Sequence, residues 1–63
     1  MNEKKKLNTK ETFDLAAENH RKNNLEVAEY LYKKILENDP NHFQSIYFLG
    51  TLSIQIKNFE RAK

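Results

Sequence analysis

Two five-residue segments of this chain are alike, NLEVA at residues 24–28 and NFERA at residues 58–62. Asparagine, glutamate and alanine recur in them at a separation of 34 residues, and one further leucine pair keeps that separation. Comparing residues 9–29 with residues 43–63 therefore gives four identities in 21 positions. A constant separation of this length indicates a repeated unit, in which neighbouring units bury each other's apolar faces.

The ends of two helices can be predicted from the residues that flank them. Asn8 and Glu11 have the spacing of a capping box, which predicts that a first helix starts there. The asparagines at residues 23–24 predict its end and a cap for the next helix, because asparagine tolerates left-handed backbone. Apolar residues at helical spacing over residues 25–36 predict a second helix, which must end before Pro40.

A third helix is predicted to follow, with Asn41 as its cap. Residues 43–56 are apolar around most of the helix circumference, which indicates neighbours on more than one side. Lys57 and Asn58 are expected to break this helix, since they align with the break between the first two helices. Residues 59–63 would then begin a fourth helix.

The composition favours a small helical protein. The 63 residues include one glycine, one proline and no cysteine, and 32% of them are charged. A chain of this length forms at most one small domain, and without cysteine it has no disulfide bond to stabilise it. It has neither a signal peptide nor an apolar run long enough to cross a membrane, so we expect a soluble, cytoplasmic protein.

The positive charge lies mainly at the N-terminus. Four of the 11 basic residues occur in residues 1–10, whereas the rest of the chain is nearly neutral. A lysine arm can bind phosphate groups of nucleic acids or anionic lipids. We interpret residues 1–8 as a flexible, solvated arm instead, so neither nucleic acid nor a membrane is an expected partner.

Residues for catalysis or for metal binding are not grouped in the sequence. His20 and His42 have no ligand partner at helical spacing, and the chain has no cysteine. Ser45, Thr51 and Ser53 follow one another on one helix without a base beside them. We therefore expect no metal, no cofactor and no enzymatic activity from these residues.

The repeat length and the arrangement of large and small side chains resemble the tetratricopeptide repeat (TPR) family, whose unit is a pair of helices in 34 residues. In that family small side chains let the helices approach closely while large ones fill the space beside them. The matching small residues are Ala16, Ala28, Gly50 and Ala62. The matching large residues are Leu15, Tyr32 and Leu49.

The resemblance implies an all-α fold built of antiparallel helix hairpins, in a right-handed α solenoid of about 1.6 repeats. The first repeat would span residues 9–42, and residues 43–63 would form a truncated second one. Thr12, Asn19 and Ser53 depart from the apolar residues that the family prefers, which fits an atypical terminal repeat. Helix hairpins of another solenoid type are the alternative.

The resemblance also implies a concave groove lined by the first helix of each unit, where a peptide or protein partner binds. Phe13, Tyr47 and Phe48 are the candidate anchors, because aromatic side chains supply much of the energy in such interfaces. Alternatively, the last two pack against a neighbouring helix. The predicted groove residues are Phe13, Ala17, His20, Arg21, Tyr47, Phe48, Thr51 and Ile54, with Gln55 among their neighbours.

Two functions are consistent with this pattern. The first is a protein-interaction module, a scaffold or adaptor that binds a partner in the groove. The second is the N-terminal substrate-recognition arm of a larger enzyme, since residues 28–42 resemble repeats of O-GlcNAc-transferase-like glycosyltransferases and of some sulfotransferases. In either case the exposed third helix needs cover, either from further repeats or from self-association.

Overall fold

A computed structural model describes residues 8–61 of the chain, which form three α-helices: α1 (Thr9–Arg21), α2 (Leu25–Asn38) and α3 (Phe43–Arg61). No strand occurs within that range, so the predicted all-α class is confirmed. Apart from Asn8, the arm predicted at residues 1–8 lies outside the described residues.

The start and end of α1 follow the sequence prediction. The side-chain oxygen of Asn8 accepts a hydrogen bond from the backbone nitrogen of Glu11 at 2.8 Å. The carboxylate of Glu11 in turn accepts one from the backbone nitrogen of Asn8 at 3.1 Å, which completes the capping box. Asn23 has a φ of 68°, the left-handed conformation expected after the helix.

α2 ends as predicted but begins differently. The helix stops at Asn38, two residues before Pro40. At its start, the side chain of Asn24 makes no capping hydrogen bond. It donates instead to the side-chain oxygen of Asn19 at 3.1 Å, which ties the loop back to α1.

The start of α3 corrects one prediction, because His42 and not Asn41 caps the helix. Its ring nitrogen Nδ1 accepts a hydrogen bond from the backbone nitrogen of Ser45 at 3.2 Å. The backbone nitrogen of His42 donates to the carbonyl oxygen of Asp39 at 3.0 Å, and that turn encloses Asn41. The residue that flanks the helix is therefore the histidine.

The end of α3 corrects a second prediction. The helix continues through Lys57 and Asn58 to Arg61, so the expected break is wrong and residues 59–61 do not begin a fourth helix. The physical reason is local. Lysine is a good helix former and asparagine costs only a few tenths of a kcal/mol more than an average residue, so neither ends a helix without a glycine or proline nearby.

The helices pack with α2 against both of its neighbours, and the short connections make successive helices antiparallel. Ala16 of α1 and Ala28 of α2 are fully buried, and their small side chains let these two helices approach closely. Tyr32, Ile35 and Leu52 complete the core.

Two of the expected packing positions are not enclosed by the described residues. Leu15 remains 41% exposed. A Cβ atom added to Gly50 would have open space around it, with no neighbouring side chain within 4 Å. The close helix approach expected at Gly50 is therefore not made by any helix in residues 8–61.

Candidate binding surface

An aromatic cluster joins the three helices. The rings of Phe13 (α1) and Phe48 (α3) stack with their centroids 5.6 Å apart and their planes at 30°. Phe13 also contacts Tyr32 of α2 at 5.9 Å and the His42 ring at 5.4 Å. Because all of these rings are half-buried or buried, they fix the position of α1 against α3.

A second contact between α1 and α3 is polar and passes through His20. Its Nε2 lies 2.7 Å from the side-chain oxygen of Gln55, and its Nδ1 lies 3.3 Å from the hydroxyl oxygen of Tyr32. Since an amide oxygen only accepts, Nε2 donates to it. Nδ1 of the neutral ring is then the acceptor for the Tyr32 hydroxyl. His20 is therefore a half-buried link between three helices, where the sequence predicted a surface histidine.

The two contacts have the same register along the chain. Phe48 follows Phe13 by 35 residues, and Gln55 follows His20 by 35 residues. Residues one repeat length apart thus meet at two places along α1 and α3, about two helical turns from each other.

Burial affects the ionisation of Tyr32. The side chain is fully enclosed, and removal from water raises the pKa of its phenol above the ordinary value, because the phenolate loses its hydration. The neutral hydroxyl that bonds to His20 is therefore the favoured form over a wider pH range than in water.

The remaining predicted groove residues surround the aromatic cluster. Tyr47 and Ile54 are 69% and 62% exposed, and the Tyr47 ring touches Phe48 at a centroid distance of 5.3 Å. The Thr51 hydroxyl lies between them along α3 and donates to the carbonyl oxygen of Tyr47 at 3.1 Å. On α1, Ala17 is half-buried and Arg21 is exposed.

The predicted residues thus divide into two groups. Phe13, His20 and Phe48 pack against one another or against Tyr32, and form a floor. Tyr47, Ile54 and Arg21 are open to a ligand. We call the whole set the α1–α3 surface, defined by Phe13, Ala17, His20, Arg21, Tyr47, Phe48, Thr51 and Ile54.

The deepest clefts lie elsewhere. One of about 390 Å³ lies between the start of α2 and the end of α3, with Val27, Ile56 and Phe59 in its wall and Glu26 and Glu60 at its edge. Another of about 390 Å³ lies between α1 and the outer side of α2. Neither includes a residue of the α1–α3 surface, which is shallow and suits a chain segment better than an enclosed small molecule.

The sequence prediction omitted two residues that shape this surface. Tyr32 was assigned to helix packing alone, yet its hydroxyl orients His20. His42 was expected at the surface, yet its ring contacts Phe13 while it caps α3. The cap had a signal in the sequence, the position just before the apolar run. The Tyr32 contact had none, because it depends on how α1 is rotated about its own axis.

Comparison of the chain with protein-family models, with curated proteins and with solved structures finds no match. Within residues 8–61, no helix combines the length and the apolar character needed to cross a membrane. The same residues contain no group of three or more His, Asp or Glu side chains placed to hold a metal ion. A functional argument therefore starts from the register of α1 and α3 and from the side chains that they expose.

Proposed function

We propose that this chain is a TPR-type helical-repeat module that binds a peptide segment of a protein partner on the α1–α3 surface. The supporting observation is the register of α1 and α3. Phe13 meets Phe48 and His20 meets Gln55, each 35 residues further along the chain. Equivalent helices of successive repeats lie side by side in this way, and together they form the surface that repeat proteins use for binding.

The exposed side chains define the chemistry of the partner. Tyr47 and Ile54 are seven residues apart, so they lie on the same side of α3, two turns from each other. Both are more than half exposed and can enclose an apolar side chain of the partner. Arg21 adds a positive charge at the end of α1. A segment with an apolar residue and a nearby carboxylate fits this arrangement.

We propose a binding role without catalysis for these residues, in the cytoplasm as the sequence suggests. Both ring nitrogens of His20 already have partners in Tyr32 and Gln55. Nδ1 of His42 is likewise used, as the cap of α3. The exposed hydroxyl of Thr51 donates to a backbone carbonyl, so it has no base that would activate it.

The proposal is tested with peptides selected from a random display library against the whole chain. For a selected peptide, we expect Tyr47→Ala and Ile54→Ala each to weaken binding about tenfold or more, as anchors do. Tyr30→Ala is the matched control, because Tyr30 is a similarly exposed tyrosine on α2, outside the α1–α3 surface.

Two results would refute this role. One is a failure of the library to yield any peptide that binds the folded chain in isothermal titration calorimetry. The other is a selected peptide whose affinity falls as much with Tyr30→Ala as with Tyr47→Ala, since binding would then lie on another part of the molecule.

A further inference from the structure

The outward side of α3 carries a row of exposed apolar side chains. Phe43 is 75% exposed and Ile46 is 46% exposed, and Tyr47 and Ile54 continue the row. Helical spacing places all four on one side, with Gly50 at the centre. We call Phe43, Ile46, Tyr47, Gly50 and Ile54 the apolar face of α3. No charged residue occurs between positions 43 and 56.

Gly50 is unusual at this place. A glycine in the middle of a helix costs stability relative to alanine, because more backbone freedom is lost on folding. The space beside Gly50 is open, so no contact with the described residues requires the missing side chain. A glycine at the centre of an exposed apolar face does suit the close approach of another helix.

We propose that the apolar face of α3 pairs with the same face of a second copy of this chain, with the two α3 helices antiparallel and Gly50 on the two-fold axis. This inference does not depend on the proposed peptide binding. A two-fold interface requires a surface that is complementary to itself. The residues on either side of Gly50 meet that requirement.

The symmetry is visible in the spacing. Ile46 and Ile54 lie four residues before and after Gly50, so each meets the other's equivalent in the second copy. Phe43 and Lys57 lie seven residues before and after it. The ammonium group of Lys57 in one copy then lies against the Phe43 ring of the other, a favourable cation–π pairing.

The area and the charge also fit a second copy. The four exposed side chains of the face present on the order of 500 Å² in each copy, given about 150–250 Å² for a whole aromatic side chain. Pairing two copies would bury about 1,000 Å², the lower limit of a specific interface. Because the face has no charge from residue 43 to residue 56, pairing it with itself brings no like charges together.

The test is sedimentation equilibrium of the whole 63-residue chain over a range of concentrations. We expect the mass to rise from 7.5 kDa towards twice that value. The expected dissociation constant is about 10 μM to 1 mM, as for a small interface. Gly50→Lys should weaken pairing at least tenfold, because it places two ammonium groups on the axis. It should not unfold the monomer, since the added side chain meets open space and lysine favours helix.

Gln44→Lys is the matched control. It adds the same charge to the same helix, about a third of a turn away from the apolar face, and should leave pairing unchanged. A wild-type chain that stays monomeric at about 1 mM, well above the expected dissociation constant, would overturn the proposal. So would a Gly50→Lys chain that pairs as strongly as the wild type. Peptide binding by the monomeric Gly50→Lys chain would show that the two proposals stand separately.

Cross-linking tests the orientation, and the chain suits it because it has no cysteine. In the antiparallel pair a Phe43→Cys chain should form a disulfide with a Lys57→Cys chain. Neither should form one with itself, because equal positions are then about 21 Å apart along the helix axis, beyond disulfide reach. Self-cross-linking of both variants without the mixed product would indicate a parallel pair and contradict the proposed arrangement.

Discussion

Tyr32 makes more of the contacts between helices than any other side chain of the aromatic cluster except Phe48. Its ring lies against Phe13 of α1 at 5.9 Å and against Phe48 of α3 at 6.2 Å. Its hydroxyl bonds to His20, so the same residue supplies both apolar and polar contacts between α2 and its neighbours. A change in the charge of this one side chain therefore affects all three helices.

Ionisation of Tyr32 should make the protein unfold at high pH. Burial raises the pKa of Tyr32 in the folded state above its value of about 10 in the unfolded chain. The contribution of Tyr32 to stability is therefore complete below about pH 10 and is lost as the pH rises through the folded-state pKa. Circular dichroism as a function of pH should show this loss of helix.

Tyr32→Phe provides the comparison. It removes the ionisable group and should lower stability at neutral pH by about 1 kcal/mol, the value of one hydrogen bond. It should also shift alkaline unfolding to higher pH. Alkaline unfolding at the same pH in both proteins would mean that Tyr32 does not control it.

At the scale of the helix, the cap of α3 is the least expected feature. His42 provides the acceptor for the first turn, although asparagine and aspartate residues stand close to it in the sequence. The same ring packs against Phe13, so the start of α3 is connected to α1 as well as capped. These two roles can be separated by substitution.

His42→Ala should destabilise the protein by about 1 kcal/mol, since it leaves backbone donors of the first turn without a partner. His42→Asn should recover most of that loss, because asparagine is among the best N-caps. Urea unfolding followed by circular dichroism measures both. Equal destabilisation by alanine and asparagine would show that the ring contact with Phe13, and not the cap, is what stabilises the start of α3.

The features that the sequence predicted correctly at this scale are local. The capping box of Asn8 and Glu11, the left-handed Asn23 and the helix end before Pro40 each depend on residues within about four positions. The break at Lys57 and Asn58 was inferred from alignment with the first break, not from a local signal. It failed because helical hydrogen bonds continue wherever no residue forbids them.

The candidate site was predictable to a lesser degree. Repeat length brings Phe13 near Phe48, and that pairing follows from the register alone. Whether a side chain in that register faces outward or packs inward depends on the rotation of each helix and on its crossing angle. Tyr47 and Phe48 are adjacent in the sequence, yet one is exposed and the other packs into the cluster.

For the whole molecule, the small core is the dominant fact. Five apolar residues of the described part are buried, so a single copy has little stability in reserve. Pairing through the apolar face of α3 would add buried area that one copy lacks. The thermal midpoint should therefore rise by about 3–5 °C for each tenfold increase in protein concentration once most chains are paired.

Differential scanning calorimetry over a range of concentrations tests this expectation. The Gly50→Lys chain should melt at one temperature throughout, because it stays monomeric. A wild-type midpoint that does not move with concentration would mean that the chain reaches its full stability alone.

The same small core bears on how a sequence of this kind changes over evolutionary time. Six of the 54 residues at positions 8–61 are buried, which leaves selection for packing a hold on about one position in nine. Substitutions elsewhere mostly alter stability by less than about 0.5 kcal/mol and so escape selection. Descendants of such a chain can keep its three helices while retaining little more of its sequence than Ala16, Ala28, Tyr32 and a few residues that end the helices.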